Sequence, residues 1–252
     1  MDAKQTEKLV RGLRGSANDL LAAAQLLAPL AEQSGGKEKG YLAILNRGLY
    51  RMIRIIDHLE LAEGEDPFCA PELLDLAGLC REVSREVEGL ARGLRVEYRC
   101  ELEQDSLLTE ADDLLLEKAI LNMVANAAEA ASPGGHVSLR MGRRGDLAMI
   151  WVKDDGPGIT APEPDADPFL KRKGGIGLGL PLVRRVAALH GGTLMLENEE
   201  RGGTTAVLSI PIRNSGEVLK SPLVDRTGGF SQTLVELSEL LPAQYFGPND
   251  VN

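Results

Sequence analysis

Cysteine, histidine, basic charge and long apolar runs are all scarce in this sequence, and each scarcity narrows what the chain can be. Cys69, Cys80 and Cys100 are odd in number and form no CxxC pair, which points to reduced structural thiols. No stretch approaches the roughly 20 apolar residues that span a bilayer. MDAKQTEK, at the N-terminus, has no signal-peptide core. Lys and Arg number 28 against 38 Asp and Glu, so 28 − 38 = −10, the wrong balance for neutralising nucleic-acid phosphates. A cytoplasmic protein that neither enters a membrane nor binds nucleic acid is the expectation. Its 252 residues, 43% apolar and 26% charged, are enough for one large domain or two small ones.

Residues 1–63 hold two long helical patterns, 6–33 and 38–62, separated by SGGKE. In the second, Leu42, Leu45, Leu49, Met52, Ile56 and Leu59 alternate steps of three and four, a coiled-coil seam. The first carries Leu9, Leu13, Ala17, Leu20, Ala24, Leu27 and Ala31 on one face. The two should fold back as an antiparallel hairpin. Because two helices enclose no core alone, a homodimeric four-helix bundle through residues 6–62 is expected, against a solitary hairpin packed on the rest of the chain.

GEDPFCAP, residues 64–71, reads as a linker by its Gly and Pro. Beyond it the pattern mixes: PELLDLAGLCREVSREVEGLARG as a helix, RVEYRCEL as a strand, 111–131 as a helix, and HVSLRM and DLAMIWVKD as strands. A polar, Pro-rich stretch at 160–173 precedes GGIGLGLPLVRRVAALHGG, then strands TLMLEN and TTAVLSI. The class is α+β: a helical hairpin, then over residues 72–212 an α/β sandwich with helices on one face of a mixed sheet. The tail, 213–252, is irregular apart from the short amphipathic SQTLVELSELL, whose Leu234, Leu237 and Leu241 should dock one apolar face.

Three segments carry chemistry. In LNMVANAAEA, Asn122 and Asn126 share a helical face. They are either two surface asparagines or amide ligands for a hard cation such as Mg²⁺, which shares substrate phosphates. In VKDDGPGI, Asp154 ends a strand before Gly156 and Gly158. It is either part of a tight turn or an acceptor for an exocyclic amine, with the glycines letting a flat ring lie on the backbone. Third, Gly175, Gly177 and Gly179 feed a helix N-terminus, a place for an anion. That loop lacks the Lys-Ser/Thr of a P-loop and the preceding strand of a dinucleotide-binding fingerprint.

In that order, and followed by GGTT at 202–205, these segments resemble the ATP-binding domain of the histidine-kinase, gyrase, Hsp90 and MutL superfamily over roughly residues 72–212. The resemblance implies ATP and Mg²⁺ as ligands. It makes Asn126 the Mg²⁺ ligand, with Asn122 a turn earlier at the phosphate end, and Asp154 the adenine-reading residue, supported by Gly156, Gly158 and Thr204. Gly175, Gly177 and Gly179 become the hinge of a lid over the triphosphate. Lys171, Arg172 and Lys173 in that lid are either a solvated charge run or contacts to the triphosphate. Hydrolysing members place a glutamate base where this chain has Asn122, which cannot activate water. That asparagine resembles histidine kinases, although Glu129 replaces the basic residue many of them carry there.

The hairpin also resembles a histidine-kinase dimerisation domain, RMIRIIDHLELAEGE matching the end of its second helix. The register that fits VRGLRGSANDLL puts Arg11 at the phosphoacceptor, Gly12 at its acidic neighbour and Ser16 at the proline of that signature. A guanidinium, always protonated, cannot attack a γ-phosphate. Of three histidines, His190 occupies a structural position, and His136 begins a strand at the surface. His58 stands near the height of Arg11 and Leu13, turned off the seam, where it is either an incidental exposed histidine or a substitute acceptor. The resemblance implies a soluble two-component sensor-kinase core with a degenerate acceptor, a pseudokinase or ATP-dependent regulatory dimer, with a response regulator as a possible partner. The alternative is an active kinase that uses His58 or phosphorylates a partner.

Overall fold

The computed structural model describes residues 3–34, 36–63, 69–131, 133–159, 178–200, 202–213 and 231–247. Two compact units divide the chain: residues Met1–Pro67 with Asp225–Asn252, and residues Phe68–Val224.

The first unit opens with α1, Ala3–Ser34, and α2, Gly36–Glu63. Arg14 Nη2 lies 2.8 Å from Asp57 Oδ1 and also bonds Glu60, which fixes the antiparallel register. Against α2, α1 buries Val10, Ala17, Leu21, Ala24 and Ala31. Ala17, Ala24 and Ala31 are seven apart, so the helices meet along a small-residue seam. The larger members of the expected face are turned outward: Leu9, Leu13, Leu20 and Leu27 are exposed, as are Tyr41, Ile44 and Leu45 of α2.

The second unit begins with β1, Glu72–Asp75, followed by α3, Leu76–Leu94. The sequence pattern here reads as one helix. Its first residues instead pair antiparallel with residues Leu108–Ala111, from Glu72↔Ala111 to Asp75↔Leu108. Asp75 closes the strand and caps the helix, its Oδ1 accepting from the N–H groups of Ala77 (3.2 Å) and Leu107 (2.9 Å). The remaining elements are β2 (Glu97–Leu102), β3 (Leu108–Ala111), α4 (Asp113–Ala131), β4 (His136–Arg144), β5 (Leu147–Asp154), α5 (Gly179–Leu189), β6 (Thr193–Asn198) and β7 (Thr204–Pro211).

Five strands form a mixed sheet in the order β2-β4-β5-β7-β6, with β2 and β4 parallel and the other pairs antiparallel. Val137, Leu139 and Met141 of β4 and Ala148, Ile150 and Val152 of β5 alternate inward, as period-two burial requires, while β7 is buried from Thr204 to Ile210. Buried Leu116, Ala119, Ile120 and Met123 of α4 and Leu182, Val183 and Val186 of α5 complete the layer that covers them. Arg140 and Arg144 stand on the other face, over the ring of Trp151, and both pair with Glu103.

The tail segment 231–247 belongs to the first unit. It forms α6, Gln232–Leu237, and a short 3-10 turn at Ala243–Tyr245. Ser231 caps α6, its Oγ accepting from the Leu234 N–H at 3.2 Å. Leu234, Leu237 and Leu241 are buried, and Phe246 stacks edge-on against Tyr50 of α2 at 5.3 Å.

Candidate functional site

Asp154 ends β5 with a carboxylate that is only 3% exposed. Its Oδ1 accepts from two backbone N–H groups, Gly156 at 2.9 Å and Thr204 at 3.3 Å. The strand-end turn and the start of β7 therefore fix the carboxylate plane. An ionised carboxylate is acceptor-only, so what it can read is a donor such as an amine. Gly156 is required by close approach: a Cβ there would lie 2.4 Å from the carbonyl oxygen of Ala130, near the end of α4. Gly158 has φ +77°. Thr204 is buried, and among the described residues its Oγ1 has no hydrogen-bond partner.

At the other end of the site, Asn122 is fully buried on α4, not at the surface. Its Nδ2 donates to Lys118 O at 2.9 Å, which orients the amide. Among the described residues Oδ1 makes no hydrogen bond, and it faces Gly179, the first residue of α5. The Asn126 amide lies against the same glycine. Asn122, Asn126 and Gly179 are thus brought together, as are Asp154, Gly156, Gly158 and Thr204. Lys173, Gly175 and Gly177 lie outside the described residues.

Two supports of this site carry little sequence signal. Asn198 clamps the exit of the turn, accepting from the Ile159 N–H (2.7 Å) and donating to Ile159 O (2.9 Å). Asp155 accepts the His136 N–H at 2.8 Å and holds ring Nδ1 at 2.8 Å, while Nε2 lies 3.2 Å from Glu97. The hydrogen bond that the ring of His136 donates to Asp155, with the charge of Glu97, raises the His136 pKa. The backbone and ring N–H groups of His136 in turn lower that of Asp155. On α4, burial, reinforced by Glu86 and Asp113, pushes the carboxyl of Glu117 up to about 7.

The other two histidines are placed unambiguously. His190 accepts the Asp112 N–H on Nε2 at 2.9 Å and holds Val186 O on Nδ1 at 2.8 Å, a structural role that leaves both ring nitrogens occupied. His58 does stand level with the Leu13 region, as the Arg14–Asp57 pair requires. The exposure expected from its position off the seam is overturned: it is 5% exposed, with Nε2 2.9 Å from Glu236 Oε2. The covering residue comes from α6, which the hairpin pattern alone could not supply. Arg11, with Gly12 and Ser16, is exposed on α1.

Residues 111–214 match the family described as histidine kinase-, DNA gyrase B- and HSP90-like ATPases. The adaptive-response sensory kinase SasA of Synechococcus sp. (strain CC9902) is 33% identical over 152 residues, covering 56% of this chain and 39% of that protein. Full-length ShkA in complex with AMPPNP has a similar fold, with a TM-score of 0.67 at 23% identity over 88% of this chain and 48% of that one. Histidine kinase ThkA, solved in complex with response regulator protein TrrA, gives 0.57 at 22% identity over 83% and 61%. In architecture the chain resembles a sensor histidine kinase core. It carries an ATP-binding domain of the histidine kinase, DNA gyrase B and HSP90 family behind a helical hairpin, and spans 39% of the length of that cyanobacterial relative. No helix among the described residues is long and apolar enough to cross a membrane.

Proposed function

We propose that this chain is a cytoplasmic Mg·ATP-binding signalling protein whose hairpin has lost its phosphoacceptor, so that it works as a nucleotide-dependent regulatory dimer. The observation that carries the nucleotide reading is the buried, unpartnered Oδ1 of Asn122 beneath Gly179, with Asp154 held rigid by two backbone N–H groups. Buried polar atoms without protein partners are where ligand atoms belong. Asp154 would take the adenine amine, with Thr204 beside it. The amide oxygens of Asn126 and Asn122 would serve the Mg²⁺ and phosphate end. Bound Mg²⁺ would neutralise phosphate charge.

The loss of chemistry rests on Arg11, aligned with the acceptor and exposed on α1, and on Gly12 beside it. Neither has a lone pair that can take a phosphoryl group or a proton. Nucleotide occupancy would then act by shifting the population of a partner-binding state. The exposed row of Leu9, Leu13, Leu20 and Leu27 supports a homodimer through residues 6–62, since a lone hairpin rarely leaves so many large apolar side chains in water. A response regulator is the partner class suggested by the ThkA complex. The second reading, transfer to His58, has the neighbouring carboxylate of Glu236 in its favour and the burial of the imidazole against it.

Titration calorimetry on the full chain tests the first reading. Mg²⁺-dependent ATP binding with negligible phosphate release is expected. Absence of binding overturns the site, and brisk phosphate release overturns the assignment to the non-hydrolysing branch.

A further inference from the structure

Along α2, Asn46, Tyr50, Arg54 and His58 recur at every fourth residue, and each meets the tail segment. Asn46 Nδ2 donates to Phe246 O at 3.0 Å, and the Tyr50 ring meets the Phe246 ring. Arg54 Nε donates to Glu236 Oε2 at 3.4 Å, and His58 Nε2 lies 2.9 Å from the same oxygen. Beside this stripe, Arg51 donates to Ser238 O (3.2 Å) and Glu239 O (3.0 Å), holding the carbonyls where α6 ends. Glu236 is fully buried, and Gln232 Nε2 satisfies its second oxygen at 3.0 Å. A buried carboxylate survives only where cations and donors are matched to it. The stripe therefore reads as a receptor with a defined ligand.

That ligand has no independent fold. A helix of six residues is far below the length that holds together in water, so α6 exists because it is docked. The hairpin has its own bonds: the Arg14–Asp57 pair and the seam of Ala17, Ala24 and Ala31 lie between α1 and α2 and owe nothing to the tail. We propose that residues 231–247 are an internal ligand of α2, able to undock while the hairpin stays folded, and that their docking is what closes His58 to solvent. The inference is independent of nucleotide chemistry. It makes the α2 stripe a docking surface for an amphipathic segment bearing one buried carboxylate and a following aromatic residue, occupied in this structure by the chain's own tail.

Diethyl pyrocarbonate, which acylates accessible imidazole nitrogen, tests this on the full chain, because each of the three histidines can be followed by peptide mapping. His136, its side chain 58% exposed, is the exposed standard and His190, 5% exposed, the buried one. In the wild type His58 should react at least about tenfold more slowly than His136, as local-opening protection requires. Leu237→Asp, which places a charge in the docked face, should raise the His58 rate at least about tenfold, speed amide exchange over 232–241, and leave the amides of α1 at residues 17–31 protected. A wild-type His58 as reactive as His136 overturns the proposal. So does a His58 that stays slow in Leu237→Asp once the tail amides exchange rapidly. Should Leu237→Asp unfold the first unit, revealed by rapid amide exchange along α1 at residues 17–31, Arg51→Ala decides: it should raise the His58 rate roughly threefold or more by weakening docking alone, and an unchanged rate overturns the proposal.

Discussion

Gly179 and Asn122 are separated by so little that a Cβ on the glycine would stand 2.9 Å from the buried amide oxygen of the asparagine. The first turn of α5 is thereby seated on the polar face of α4, where the phosphate end of the site is proposed. Gly179→Ala must displace either the Asn122 amide, which is tied to Lys118 O, or the start of α5. Overpacking of this kind costs about 1–3 kcal/mol. ATP affinity in the variant, measured by calorimetry, should fall at least about fivefold, with thermal unfolding still cooperative.

Asp154→Asn keeps the size of the side chain and removes its charge. The interaction with a ligand amine then loses a charge-assisted hydrogen bond worth roughly 1.5–3 kcal/mol, or about ten- to a hundredfold in Kd. Adenine specificity should fall with it, read as a reduced preference for ATP over GTP in competition binding.

The outward leucines of α1 predict a second interface. Leu20→Glu with Leu27→Glu replaces two half-exposed apolar side chains without touching the Ala17, Ala24 and Ala31 seam. Light scattering should report a dimer for the wild type and a monomer for the double variant, with helix content retained. A wild-type monomer counts against dimerisation through the hairpin.

Glu117 gives a pH signature. Its folded pKa, about 7, lies above the ordinary value, so its contribution to stability is intact at low pH and is lost as pH rises through about 7. Glu117→Gln removes a charge that burial, Glu86 and Asp113 all oppose. Denaturant titration should show the variant more stable than the wild type by roughly 1–3 kcal/mol at pH 8 and nearly equal to it at pH 5. Equal stabilities at both pH values would remove the role assigned to burial.

Where a requirement is local, the sequence made it readable. Gly156 and Gly158 after Asp154 mark a backbone that must pass close to α4, and that need sits within five residues of chain. The sheet strands β4 and β5 alternate, one face packed against helices, whereas β7 is buried along nearly its whole length. β1 was hidden for the opposite reason: Leu73 and Leu74 fit a helix equally well, and only pairing with β3, more than thirty residues on, makes them a strand. The second buried face of α2 was hidden too, because Asn46, Arg54 and His58 look like solvated residues until Phe246 and Glu236 are set against them. Asn122 shows the converse, a motif residue correctly singled out whose complete burial depends on α5 covering it.

The central claim, an ATP site retained beside a lost acceptor, is tested most directly by incubating the full chain with Mg²⁺ and γ-labelled ATP, then comparing label held before denaturation with label remaining after it. The account predicts stoichiometric label before and none after, and acid-labile, alkali-stable label only once Arg11→His and Gly12→Glu together restore a nucleophile and its neighbouring base. Acid-labile, alkali-stable label on the denatured wild type, abolished by His58→Ala, would contradict it.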